Sequence, residues 1–132
     1  MKIISDLNFN LMGNFTDLKV WQIAKQLAVE TYKIVGSSAL VRDYGLKDQM
    51  QRAAVSIASN IAEGEEFGHS KKAVFFFHTA RGSVAELITQ TIIAYEAGLI
   101  TIEQSEVIQQ KAHAISMMLR NLIAYRSKNI QG

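Results

Sequence analysis

The stretch "RAAVSIASNIAEGEE" (residues 52–66) decides how this chain folds. Its apolar residues recur at the spacing of a helix that packs into a core. Its polar residues recur at intervals of three or four and, with one residue from the preceding turn, form a row: Gln49, Arg52, Ser56, Asn60 and Glu63. Such intervals place the row on one helix face. A solvated face usually carries Lys and Glu, so Ser and Asn, which are poor helix formers, indicate a structural purpose.

The remaining sequence predicts an all-α fold, an antiparallel up-down four-helix bundle. Proline is absent, which suits long helices. Apolar residues at helical spacing and the caps around them predict four helices: residues 15–36, 46–65, 70–97 and 101–126. We expect one domain over residues 14–127, a disordered N-terminal extension over residues 1–13 and a frayed tail over residues 128–132.

Length and composition limit the functions open to the chain. Its 132 residues suffice for one domain with its own core, and no cysteine is present. The formal net charge is only +2, from 14 basic and 12 acidic residues. No apolar run approaches the roughly 20 residues that span a bilayer. We expect a soluble cytoplasmic protein without a membrane partner, in which any case for nucleic acid rests on local charge.

The polar row has a predicted partner on the third helix. In an antiparallel hairpin linked around residue 67, Arg52 lies opposite Ser83 or Glu86, and Ser56 lies opposite Ala80 or Gly82. Gly82 and Ser83 are small enough to let the two backbones approach each other. A buried arginine requires a partner, so we predict an Arg52–Glu86 contact. Ser56 and Asn60 should then bond across the interface or to neighbouring backbone. The alternative is a solvated face with a mixed row.

Three segments of the chain carry a family resemblance. They are "LKVWQIAKQLAVETY" (18–32), "YGLKDQMQRAAVSIASNIAEGEEFG" (44–68) and "ARGSVAEL" (80–87). They resemble the four-helix-bundle family of bacterial 23S ribosomal RNA intervening-sequence proteins, over about residues 15–125. That family is similar to accessory proteins of diversity-generating retroelements. The resemblance implies rings of five subunits that associate with nucleic acid and a reverse transcriptase.

The sequence offers no catalytic constellation, and we predict that the chain is not an enzyme. Its three histidines, His69, His78 and His113, have no metal-binding spacing, and no phosphate-cradling glycine loop is present. Acidic residues near His69 would suit a cation, although a solvated turn explains them better. We therefore expect no catalytic residue, no cofactor and no metal.

Local charge points to nucleic acid at the C-terminal end. From residue 107 onward the chain has no acidic residue and carries four candidate nucleic-acid-binding cations: Lys111, Arg120, Arg126 and Lys128. Such an asymmetry gives one part of a protein a positive potential that attracts phosphates. The alternative is that cations near a helix C-terminus complement the helix dipole.

The segment "VFFFH" (74–78) points to self-association. Three consecutive residues of a helix span about 200° around the helix axis, so Phe75, Phe76 and Phe77 cannot all face the core of one bundle. An exposed aromatic side chain commonly marks an interface. The alternative is one wide helix that touches two neighbours within the bundle.

The sequence therefore predicts a non-enzymatic homo-oligomer, by resemblance a pentamer, that acts as a nucleic-acid-associated accessory protein. An alternative is an oligomeric protein-interaction scaffold with no direct contact to RNA or DNA. The pattern does not identify the nucleic acid or the protein partner. It also does not say whether the gene lies in a ribosomal RNA intervening sequence or in a retroelement.

Overall fold

The computed structural model describes residues 14–130. The predicted disordered extension, residues 1–13, lies outside this range, as do the last two residues of the predicted tail. Within it the chain is all-helical, without a strand, which confirms the predicted fold class. Four long helices follow in order: α1 Lys19–Gly36, α2 Tyr44–Glu66, α3 Lys71–Glu96 and α4 Ile102–Lys128. Two short 3₁₀ helices, Phe15–Asp17 and Ala39–Arg42, precede α1 and α2.

Side-chain caps set the helix starts. Thr101 and Gln104 form the predicted capping box, each accepting a backbone N–H of the other at 3.0 Å. Ser70 Oγ accepts the Ala73 N–H at 3.1 Å and starts α3. The start of α2 lies two residues before the prediction, because Asp43 Oδ1 accepts the Leu46 N–H at 3.0 Å.

The helices pack in sequence, and α1 packs against α4 to close the bundle. Each helix contributes fully buried apolar side chains to one core, for example Leu27, Ile57, Leu87 and Ile115. Because the links are short and the helices antiparallel, α1 begins, α2 ends, α3 begins and α4 ends at one end of the bundle. We call it the 67–70 end, and the opposite one the 97–101 end. Among residues 14–130 no helix is long and apolar enough to cross a membrane.

Candidate functional site

Hydrogen bonds join α2 to α3 in the middle of the polar row. Ser56 Oγ and Ser83 Oγ lie 3.0 Å apart across the interface. Asn60 Nδ2 donates to the Ser56 carbonyl oxygen and to Ser56 Oγ, both at 2.9 Å. The prediction that Ser56 and Asn60 bond across the interface or to nearby backbone is therefore confirmed.

The ends of the row are solvated, and the Arg52–Glu86 prediction is wrong. Both side chains are exposed and line a common groove of about 760 Å³ over the outer surface of α2. Within residues 14–130 they do not form an ion pair, since the one ion pair found there joins Arg126 to Glu65. The prediction assumed that Arg52 is buried. Because its guanidinium remains in water, it requires no partner. Gln49 and Glu63 are exposed as well.

The buried arginine is Arg126, in the last turn of α4, where only 7% of its surface is exposed. Its Nη2 donates to Glu65 Oε1 at 2.6 Å, and its Nη1 donates to the Gly68 carbonyl oxygen at 2.8 Å. The guanidinium also lies 5.4 Å from the Phe77 ring centroid. We call these contacts the Arg126 clasp. Arg126 is thus not available to phosphates, and its prediction as a nucleic-acid contact is wrong.

A glycine makes room for this arrangement. A Cβ atom on Gly64 would lie 2.5 Å from Cε1 of the fully buried Phe77, so only glycine lets the ring reach α2 there. Gly82, predicted to permit close approach of α2 and α3, is exposed, and a Cβ atom there would meet no atom within 4 Å. Ser83, the other small residue of that prediction, is buried with its Oγ 3.0 Å from Ser56 Oγ, so the contact at Gly64 is additional to the predicted one.

The other predicted cations are not gathered on one surface. Lys111 and Arg120 are nine residues apart, which places them about 180° apart around α4. Lys111 is half-buried, whereas Arg120 and Lys128 are exposed towards the 67–70 end. Of the four candidate nucleic-acid-binding cations, Arg120 and Lys128 are therefore the two that are exposed at the same end of the bundle.

Charge is divided between the halves of the bundle. Among residues 14–130, the half nearer the 67–70 end carries eight basic and four acidic residues. The basic ones are Lys19, Lys25, Lys71, Lys72, Arg81, Arg120, Arg126 and Lys128, and the acidic ones are Asp17, Glu63, Glu65 and Glu66. The other half carries five basic and seven acidic residues. We call the first the basic half. The sequence does not reveal this division, because the charges of α1 and α3 come together with those of α4 only in the folded bundle.

The three phenylalanines have three different environments. Phe77 is fully buried, Phe76 is half-buried, and 62% of the Phe75 surface is exposed. The Phe76 ring stacks on Phe67 and meets Phe75 edge-on, both with centroids 5.5 Å apart. We call Phe67, Phe75 and Phe76 the aromatic knob. The prediction that at least one of the three consecutive phenylalanines faces outward is confirmed, whereas Phe77 is a core residue and not part of an interface.

A second groove, of about 690 Å³, runs between α1 and α2. Its lining is mainly apolar and includes two lysines: Phe15, Trp21, Lys25, Ala28, Val29, Tyr32, Lys33, Val55, Ala58, Ser59 and Ala62. Trp21 packs edge-on against Phe15, with centroids 5.2 Å apart, and Lys25 Nζ lies 5.7 Å from the Trp21 ring centroid. We call it the α1–α2 groove. No local pattern in the sequence predicts this groove, because its two walls come from different helices.

The histidines and acids do not assemble a reactive centre among the described residues. His78 and His113 are exposed, and His69 packs edge-on against Tyr125, with centroids 6.0 Å apart. Residues 14–130 contain no group of three or more His, Asp or Glu side chains that would hold a metal ion. Glu65, one of the acids considered for a cation, contacts Arg126 instead.

These features define a class, the all-α four-helix bundles. Within this class, the chain belongs to the 23S rRNA-intervening sequence protein family, whose model matches residues 16–121. No curated protein matches significantly. The fold is similar to that in a crystal structure of a protein of unknown function from the S23 ribosomal protein family of Bacteroides thetaiotaomicron. The TM-score is 0.71 at 22% sequence identity, covering 79% of this chain and 97% of the other.

Proposed function

We propose that this protein is a non-enzymatic homo-oligomer that associates with nucleic acid through the basic half of the bundle. The observation that carries the proposal is the division of charge. The basic half has a formal charge of +4 from its eight basic and four acidic residues, whereas the other half has −2. A net charge of one sign at one end attracts phosphates even when the whole chain is almost neutral.

Exposed cations in the basic half come from three helices: Lys19 and Lys25 in α1, Lys71 and Lys72 in α3, and Arg120 and Lys128 in α4. Phosphate contacts from such side chains give affinity without reading bases. We therefore propose binding that depends on salt and little on sequence. A ring of subunits, five by the family resemblance, would repeat these cations around one rim, where an RNA or a reverse transcriptase complex would meet them.

The test is binding of structured RNA and duplex DNA across a salt series. The variant Lys71→Glu/Lys72→Glu changes the basic half, and Arg42→Glu/Lys47→Glu makes the same charge change in the other half. We expect the first variant to bind at least about tenfold more weakly and to reduce the salt slope by about one for each phosphate that it no longer neutralises. The second should bind as the parent does.

Equal weakening by both variants would refute the basic half as the binding surface, and no binding by the parent at low salt would refute nucleic-acid association. The second result would favour the alternative, a protein-interaction scaffold. The exposed aromatic knob and the α1–α2 groove support that alternative, since both are apolar surfaces of the kind that proteins bury against one another.

A further inference from the structure

Gln90 in α3 is a buried polar side chain with an unpaired oxygen. Only 8% of its surface is exposed, and among residues 14–130 no group donates a hydrogen bond to its buried Oε1 atom. Buried oxygens of this kind are nearly always hydrogen-bonded, because an unpaired one has lost its hydration without a replacement. His69 Nδ1 and Arg81 Nε also lack a partner there, but neither residue lines either of the two grooves.

Gln90 lines the groove of about 760 Å³ over the outer surface of α2, which we call the Arg52 groove. Glu86, one turn before Gln90 on the same face of α3, lines it too, and Arg52 lines it from α2. Both charged side chains are exposed, and within residues 14–130 neither forms an ion pair. The volume lies in the range of small-molecule sites. The groove therefore brings an unpaired cation, an unpaired anion and an unpaired buried acceptor to one surface.

The chemistry of these three groups defines a complementary ligand. A guanidinium such as that of Arg52 binds a carboxylate through two parallel N–H···O bonds. The Glu86 carboxylate and Gln90 Oε1 are both acceptors, which suit the three N–H donors of an ammonium group. Asp48 is a second acid in the lining, so the groove disfavours a polyanion such as nucleic acid. A molecule with one acidic and one amino end satisfies all three groups.

We propose that the Arg52 groove binds a small zwitterion, whose carboxylate contacts Arg52 and whose ammonium group contacts Glu86 and Gln90 Oε1. Ala53 and Val55, which also line the groove, supply apolar surface for the carbon chain of the ligand. The site lies in the half of the bundle opposite the basic half. It is therefore independent of the surface proposed for nucleic acid, and either proposal can fail without the other.

A titration of the full chain tests the site. The ¹⁵N-labelled protein is titrated with glycine, γ-aminobutyrate and 6-aminohexanoate, which carry the same two charged groups on carbon chains of increasing length. We expect at least one of them to shift the side-chain amide signals of Gln90 saturably and to raise the midpoint of thermal unfolding. The acid of the same length without the amine, and the amine without the acid, should each bind at least about tenfold more weakly.

Variants assign the contacts. Arg52→Gln and Glu86→Gln should each weaken binding by at least about tenfold, because each removes one charged partner of the ligand. Gln90→Met keeps the length of the side chain and removes the unpaired oxygen. It should also weaken binding, yet the free variant should unfold at the parental temperature or above it. Arg42→Gln and Glu63→Gln are the matched controls, since both residues are exposed and lie outside the groove, and they should bind as the parent does.

Three results would overturn the proposal. The first is no saturable shift with any of the three zwitterions, as expected if bound water alone pairs with the Gln90 oxygen. The second is equal binding of a zwitterion and its single-charge analogues, or equal weakening by groove and control variants, which would reduce the effect to general charge. The third is a free Gln90→Met variant that unfolds below the parental temperature, which would show that Gln90 Oε1 already has a partner in the folded chain.

Discussion

Arg52 in α2 lines a groove together with a carboxylate of a neighbouring helix, and Arg126 in α4 forms an ion pair with one. The two arginines differ in their exposure to water. At Arg52 the groove is open, and the guanidinium and Glu86 are both solvated. At Arg126 the last turn of α4 packs over the α2–α3 link. Arg126 Nη2 lies 2.6 Å from Glu65 Oε1, and only 7% of the Arg126 surface is exposed. Proximity of opposite charges therefore stabilises this bundle only where the packing excludes water.

The largest expected difference follows from removing each arginine. Arg126→Ala leaves the half-buried Glu65 carboxylate and Gly68 carbonyl oxygen without their donor, so we expect a loss of about 3–5 kcal/mol of unfolding free energy. Arg52→Ala should change it by less than about 0.5 kcal/mol. Urea unfolding followed by circular dichroism measures both. Equal losses would show that exposure does not distinguish the two arginines.

Gly64 in α2 and Gly82 in α3 allow the same comparison of a buried and an exposed position for side-chain packing. Gly64→Ala forces a Cβ atom against the Phe77 ring beside the Arg126 clasp, and we expect a loss of about 1–3 kcal/mol. Gly82→Ala adds a Cβ atom in open space in the middle of α3 and should stabilise by about 0.5–1 kcal/mol. Thermal unfolding of the two variants gives the signs directly. A stabilising Gly64→Ala would contradict the close approach of α2 and Phe77.

A smaller loss than those at Arg126 and Gly64 is expected at the serine pair, in which Ser83 is buried and Ser56 is half-buried. Ser83→Ala removes one partner of Ser56, which still accepts from Asn60, so we expect a loss of about 1 kcal/mol. A double-mutant cycle with Ser56→Ala should give a coupling energy of about 0.5–1 kcal/mol. A coupling of zero would mean that the hydroxyl contact does not stabilise the α2–α3 interface.

Sequence alone predicts most of this fold, because its signals are local. Apolar spacing and caps such as Thr101 with Gln104 depend on residues within a turn of each other, and the helix bounds agree within a few residues. The outward Phe75 is also predictable, since three adjacent aromatic residues exceed the width of one core-facing stripe. These features are specified by neighbours along the chain.

The Arg126 clasp is not local. It depends on Glu65 and Gly68, which lie 61 and 58 residues earlier in the chain. A local signal did exist: Arg126 continues the spacing of the buried Ile115, Leu119 and Ile123 in α4, so its position is a core position. Its charge led to an interpretation as a phosphate contact. Arg52 shows the opposite error, since membership of a polar row does not establish burial.

An even number of antiparallel helices has a practical consequence for attachment to this protein. Asn14 and residue 130 both lie at the 67–70 end, in the basic half and near the clasp. A fluorophore or a surface tether attached at either residue therefore lies next to the surface that we propose for phosphates. The 97–101 link, at the far end of the bundle, is the position from which a covalent label leaves that surface unobstructed.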